Sequence, residues 1–238
     1  MTTMKTMIAA AGLLLLTSSV ATAQTADDII QKHLTAIGGV DNWKKIKTMR
    51  LTTSVNAGGT EMPIVITYVH MKGMKSEFTM GGMTGYSILT PTKGWNYSPF
   101  EGAAKPEAMT DAEVKESQDE LDIQGELIDY KKKGIKVTYL GKDDVEGTEC
   151  YKLKLTYTNG KEETEYFDAA TYYVIKSVTK TKTNGKESET SCTFGNYKKL
   201  PEGIVFQMTI ENEGGGPMTV KSVEVNIPVD ESIFQPKL

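Results

Sequence analysis

The stretch YKLKLTYTNGKEETEYFD, residues 151–168, decides the fold class. Asn159-Gly160 lies between residues 151–157 and 163–167, which both read as strands. Asn-Gly suits a two-residue hairpin, because that turn wants φ > 0 at both positions. The stretch therefore predicts two antiparallel strands. Asn184-Gly185 repeats the signal between strands at 172–183 and 188–197. With further strands at 204–211 and 219–225, the region between Gly147 and Asn226 predicts a consecutive antiparallel meander, preceded by a strand at 135–140.

The same period of two appears earlier in the chain. Met49, Leu51, Thr53 and Val55 alternate with Arg50, Thr52, Ser54 and Asn56. After the turn Ala57-Gly58-Gly59, residues Met62, Ile64, Ile66 and Tyr68 make one face of the next strand. Val65 and Val69 make its other face apolar too. Short strands follow at 75–80, 86–89 and 94–98, separated by glycine or proline. About ten to twelve strands are too many for a flat open sheet. The fold class expected is mainly β: a strongly curved antiparallel sheet forming a half-open barrel, with a few helices as lid or plug. Its concave face needs filling.

The helices are brief. Thr25 can cap a helix whose first turn carries Asp27 and Asp28, with Ile30, Leu34 and Ile37 as its apolar stripe. Gly38-Gly39 stops it, and Asp41 begins a short second turn with Trp43 and Ile46 facing inward. Thr110 and Glu113 fit a capping box opening a polar helical segment. Residues 121–130 read as an irregular connection carrying Leu121, Ile123, Leu127 and Ile128.

The N-terminus predicts export. Lys5 precedes an apolar and small-residue run at 7–16, and Ala21-Thr22-Ala23 offers a cleavage site before Gln24. The run is shorter than the roughly 20 residues a permanent span needs. The organisation expected is a cleaved signal at 1–23 and a single domain over 24–238, soluble in the periplasm and monomeric. With 27 basic and 31 acidic side chains and no basic block, the chain is not built for nucleic acid.

No catalytic centre or cofactor site is expected. His33 and His70 are the only histidines, too few for a zinc set, and neither accompanies a nucleophile motif such as Gly-x-Ser-x-Gly. They read as surface or structural residues. The pairs Asp27/Asp28, Asp143/Asp144 and Glu162/Glu163 read as solvated caps and turns, since strand neighbours point to opposite faces. Lys131-Lys132-Lys133 reads as a solvated loop that could touch an anionic lipid surface. Met71-x-x-Met74 and Met80-x-x-Met83 are open to three readings: core filling, an adaptable surface for a flexible apolar ligand, or Cu(I) ligation. Cys150 and Cys192 fall on strands that a meander keeps three apart. That exceeds the roughly 7 Å limit between bridged Cα atoms, so two free thiols are expected.

Residues 92–100, Thr-Lys-Gly-Trp-Asn-Tyr-Ser-Pro-Phe, resemble the strand of LolA-type periplasmic lipoprotein carriers that runs Asp-Gly-Lys, then Trp, an aromatic and Asn-Pro-Phe. The hairpin at 68–78, the run 141–147 leading into Tyr151-Lys152-Leu153, and Tyr166-Phe167-Asp168 followed by 172–176 are similar to the same group. Together they resemble the outer-membrane lipoprotein-sorting-like proteins of Bacteroidota-type bacteria. The resemblance implies a half-open barrel with helices as a lid over a cavity for acyl chains. Those carriers have a Lys-Arg-Pro turn whose arginine helps hold the lid closed. Lys72-Gly73-Met74 stands in its place, and the only arginine, Arg50, is on a different strand.

The resulting expectation is a non-catalytic carrier or chaperone for lipid or lipoprotein acyl chains, working with membrane-associated donor and acceptor proteins. The lid comprises the N-terminal helix and residues 110–130. The candidate cavity lining is Met62, Ile64, Ile66, Phe78, Met80, Ile88, Trp95 and Tyr97. A slip of one residue in face assignment would exchange that set for its neighbours. The alternative is an envelope sensor or regulator that uses the same fold to bind a protein partner.

Overall fold

The computed structural model describes residues 24–57, 59–183 and 186–237. The signal-sequence reading and the Asn184-Gly185 turn lie outside these residues. After helices α1 (Ala26–Ala36) and α2 (Val40–Lys45), six strands form a meander. They are β1 (Thr48–Ala57), β2 (Thr60–Val69), β3 (Gly73–Met80), β4 (Met83–Leu89), β5 (Gly94–Tyr97) and β6 (Glu107–Ala108). Helix α3 (Asp111–Glu116) and a 3₁₀ turn (Gln118–Leu121) open the crossing to the second half. That half contains β7 (Lys136–Val145), β8 (Thr148–Thr156), β9 (Glu162–Asp168), β10 (Val174–Thr183) and β11 (Lys186–Gly195). It continues with β12 (Lys198–Lys199), β13 (Val205–Phe206), β14 (Thr209–Asn212) and β15 (Pro217–Val225).

Thirteen strands form one antiparallel sheet in the order β6-β5-β4-β3-β2-β1-β15-β14-β11-β10-β9-β8-β7. The sheet is curved and does not close into a barrel. The two meanders are joined where the first strand pairs the last, with Met49 opposite Val225 and Val55 opposite Met218. A bulge between Thr52 and Thr53 interrupts that seam.

The predicted meander after Gly147 needs one correction. The stretch expected as a single strand at 204–211 is two elements. Val205 and Phe206 pair with β12 in a separate two-stranded sheet, and β14 then returns to the main sheet beside β11. Ile204, Val205 and Phe206 are buried, so this run is apolar because it packs on the helices rather than because it extends the sheet. Gly38 explains the intimacy of that contact. Its φ is +104°, and a Cβ there would lie 2.1 Å from the Gly203 carbonyl oxygen.

The β8–β9 turn also differs in detail. Tyr157 N–H donates to the Lys161 carbonyl at 2.9 Å, and Gly160 N–H to the Tyr157 carbonyl at 3.0 Å. Gly160 has φ +89°, whereas Asn159 is not among the positive-φ residues. The loop is thus longer than two residues and needs only one left-handed position.

The helices cap as their sequences suggest. Thr25 with Asp28 and Thr110 with Glu113 form reciprocal capping boxes. Ile29, Ile30 and Leu34 of α1 and Trp43 of α2 enter the main core with Leu127, Ile128, Leu153, Leu155 and Phe167. A second cluster places Val114 and Leu121 over Met74 and Leu89, with Ile66 and Tyr68 at its edge. Both parts of the expected lid therefore cover the concave face. Cys150 and Cys192 are free. They stand on β8 and β11, separated in the sheet by β9 and β10.

Candidate functional site

The strand register sorts side chains between the two faces. Leu51 lies opposite Ile66, Val55 opposite Met62, and Ile64 opposite both Thr53 and Phe78. Met80 lies opposite Met83. Directly paired residues share a face, so Met62, Ile64, Ile66, Phe78 and Met80 belong to the concave side with Met74 and Leu89. Ile88 pairs with Trp95, and Tyr86 with Tyr97. These are one residue out of phase and belong to the convex side.

The eight sequence-nominated residues are thus divided five and three by the register. Ile88, Trp95 and Tyr97 are covered by the C-terminal segment, where Phe234 packs with Val69, Tyr86 and Ile88. The Tyr86 hydroxyl donates to the Lys237 carbonyl at 2.6 Å and accepts from Lys237 N–H at 3.0 Å. Gly73 makes room for this strap: a Cβ there would approach the Phe234 ring to 2.6 Å. On the concave side Met62, Ile64 and Phe78 are half-buried, while Met80 and Met83 are 43 % and 45 % exposed.

Two neighbouring cavities flank the crossing segment, the smaller between the helices and the second half of the sheet, the larger among the loops at the sheet's end. The smaller, about 290 Å³, is walled by His33, Ile37 and Trp43 from the helices, Glu163 and Glu165 from β9, and Phe194 and Phe206. The larger, about 410 Å³, includes His70, Met71, Ile128, Ile135 and Tyr157. Asp122, Gln124 and Glu126 border both. The crossing segment 122–126 therefore forms the partition between the two. None of the eight nominated residues lines either cavity.

The partition is held at several points. Met71 N–H donates to the Leu121 carbonyl at 2.9 Å. The Gln124 side chain donates to the Ile46 carbonyl at 3.2 Å, and Lys133 donates to the Gly125 carbonyl at 2.6 Å. Lys133 also pairs with Asp122 at 2.5 Å. The basic run is consequently engaged rather than free, since Lys131 pairs with Asp27 and Lys132 with Asp129.

The floor of the smaller cavity is acidic. Glu165 lies opposite Leu153 and Ser177, and Glu163 opposite Leu155, which places both on the concave face. Glu163 accepts a hydrogen bond from the Tyr157 hydroxyl at 2.9 Å. Glu162, on the other face, pairs with Lys154 at 2.6 Å. The solvated reading thus holds for Glu162 and not for Glu163. The informative spacing was Glu163-x-Glu165, which puts two carboxyls on one side of a strand.

Glu165 is only 4 % exposed, and its Oε2 has no hydrogen-bond partner. Burial, then the charges of Glu126 and Glu163 and a hydrogen bond shared with the Glu126 carboxyl, hold its carboxyl well above the usual carboxylate range. Burial likewise raises the Glu163 carboxyl and the Tyr157 and Tyr197 hydroxyls. His33 is structural: burial lowers its pKa, and Nδ1 lies 2.8 Å from the Tyr172 carbonyl. A carbonyl only accepts, so Nδ1 carries the proton. Trp43 Nε1–H is already bonded to the Ile37 carbonyl at 2.9 Å. His70 Nδ1 stands 3.5 Å from Asp122 Oδ1 without forming a hydrogen bond.

No protein-family model matches this sequence, and no curated relative matches it either. Solved structures do resemble it. A LolA-superfamily protein from Nitrosomonas europaea shares 10 % identity, with 90 % of this chain and 98 % of that chain covered, at a TM-score of 0.57. A DUF1329-family protein from Desulfovibrio piger shares 13 % identity over 89 % and 98 % of the two chains, at 0.56. An outer-membrane lipoprotein-sorting protein domain from Vibrio parahaemolyticus shares 13 % identity over 87 % and 94 %, at 0.52. The fold is therefore LolA-like. No helix among the described residues is long and apolar enough to cross a membrane.

Proposed function

We propose that this protein is a non-catalytic periplasmic carrier that shelters acyl chains of a lipid or lipoprotein between its concave sheet and helical cover. The observation that carries this reading is the cavity of about 290 Å³ between the helices and β9, which shares the crossing segment with a second of about 410 Å³ among the adjoining loops. These volumes sit at the lower end of the roughly 300–1,000 Å³ range of small-molecule sites. The half-buried strip Met62, Ile64, Ile66 and Phe78 offers apolar surface on the same side of the sheet. Burying such surface stabilises a complex by about 25 cal/mol per Å². Unbranched Met80 and Met83 suit a flexible chain.

The test is native mass spectrometry of the protein isolated from its own periplasm, followed by organic extraction. A bound mass that extracts as a lipid or acylated peptide supports the carrier and identifies the cargo. A clean ligand-free mass, with no uptake of amphiphiles afterwards, transfers the concave face to a protein partner. Introducing Ile64→Asp and Ile66→Asp separates the two regions of the concave side. Lost uptake by the folded variant assigns the cargo to the strip; unchanged uptake assigns it to the two cavities.

A further inference from the structure

The two methionine pairs of the sequence part company in the fold. Met71 stands in the β2–β3 turn beside the larger cavity, and Met74 is buried beneath Val114 and Leu121. Met80 and Met83 lie at the opposite end of β3, and both are exposed. A single exposed apolar side chain needs no explanation; two set directly against each other do.

The turn between them fixes that pairing. Gly81 and Gly82 have φ +58° and +79°, as a two-residue type I′ turn requires. Met80 and Met83 therefore close the hairpin as a direct pair on the concave face. Ile64 lies opposite Phe78, and Met62 and Met80 are each two residues further along on that same side. Met62, Met80 and Met83 thus form one row across β2, β3 and β4. Neighbouring Cβ atoms in such a row are about 5 Å apart. An unbranched thioether with three rotatable bonds spans that gap, so the sulfurs can converge on one ion. Harder donors point elsewhere. The Thr79 and Thr84 hydroxyls, on the other face, lie 3.2 Å from each other. Glu61 also faces away from Met62 and pairs with Lys221 at 3.2 Å. Among the described residues, no group of three His, Cys, Asp or Glu side chains could hold a metal ion.

We propose that Met62, Met80 and Met83 form a three-thioether site for a soft monovalent cation, Cu(I). Thioether sulfur is a neutral, polarizable donor and selects Cu(I) over Mg, Ca and Mn, which take oxygen ligands. Three neutral donors leave the charge of the ion uncompensated. An exposed hairpin tip tolerates that charge, because water and salt screen it; a buried site would not. Approach is open, since a Cβ on Gly81 or Gly82 would meet nothing within 4 Å. The ion enters and leaves as Cu(I), with no electron transferred. The row lies outside both cavities, and the inference does not rest on the carrier reading.

The test uses Ag(I), a redox-inert ion of the same charge and softness, in chloride-free buffer. Cys192 is a half-exposed free thiol and would compete for it, so the parent protein carries Cys192→Ser; Cys150 is fully buried and is kept. Ag(I) is titrated into protein labelled with ¹³C at the methionine methyl groups and followed by NMR. The Met62, Met80 and Met83 signals are expected to shift together and to saturate at one equivalent, with Met74 unmoved. M80L/M83L keeps the apolar volume and removes two sulfurs. Its affinity for Ag(I) is expected to fall at least about tenfold, and that of M62L about threefold or more. Zn(II) at the same concentration is expected to move none of the three signals. Signals that ignore Ag(I), or an M80L/M83L protein that binds it as tightly as the parent, overturn the inference and leave the carrier reading standing. An M62L protein that binds as tightly as the parent overturns the three-ligand site, and an equal response to Zn(II) overturns the assignment of a soft ion.

Discussion

The two faces of the sheet's first half carry comparable apolar side chains and are closed in different ways. On the convex face, Ile88, Trp95 and Tyr97 lie beneath a strap from the protein's own C-terminus, with Phe234 seated over Gly73. On the concave face, Met74 and Leu89 are covered by Val114 and Leu121, but the strip from Met62 to Met80 extends beyond that cover. Apolar alternation reports that a face wants burying; it does not report what will bury it. The convex face is finished by the chain itself. The concave face is left half-open, and that difference is the physical basis for assigning ligand binding to it.

The comparison can be broken most forcefully at the strap. Phe234→Ala is expected to cost about 3–5 kcal/mol in urea unfolding, as for other buried Phe truncations, while amphiphile uptake by the folded fraction is unchanged. A loss below 1 kcal/mol would mean that the strap is a loose appendage. Gly73→Ala forces a methyl into the Phe234 ring and is expected to cost about 1–3 kcal/mol. Combined with Phe234→Ala, most of that cost should vanish, which a double-mutant cycle would read directly.

On the concave side the sign reverses. Glu165 has a folded-state pKa raised by burial. Its neutral form favours the fold below the unfolded pKa near 4.5, and that contribution is lost as pH rises through the folded value. Glu165→Gln is therefore expected to flatten the decline in unfolding free energy as pH rises above the unfolded carboxyl's range, read by urea unfolding across a pH series. An unchanged pH profile in the variant would mean that Glu165 is not the group that ionises. The smallest effect is expected at the cover. Thr110→Ala removes one half of the capping box and should cost about 1 kcal/mol, seen as faster amide exchange in α3 with β1–β5 unaffected.

Much of the fold was legible because it depends on local chemistry. The period of two from Met49 onward and the caps at Thr25 and Thr110 are fixed by neighbouring residues. The approximate positions of the strands were legible for the same reason. The departures occur where distant segments intervene. Ile204-Val205-Phe206 has the composition of a strand, yet it pairs with β12 and packs against α1 and α2. Trp95 and Tyr97 were correctly placed on one face. Which face was concave depended on residues 227–237, whose apolar positions Val229, Ile233 and Phe234 carry no label naming their partner. Glu163 and Glu165 form a pair because a strand groups alternate side chains on one face, so adjacency with Glu162 carried no information about it.

The sequence by itself determined an antiparallel β architecture with short capped helices, two unpaired cysteines and no concentration of charge suited to nucleic acid. These follow from periodicity, capping and spacing, which act over a few residues. Only the tertiary structure decided that β1 pairs with β15, that the convex face is strapped shut, and that the segment 122–126 divides two cavities, one of them floored by Glu163 and the buried Glu165. Those features arise from contacts between residues far apart in the chain. Their free energy depends on which surfaces meet, and no local pattern carries that information.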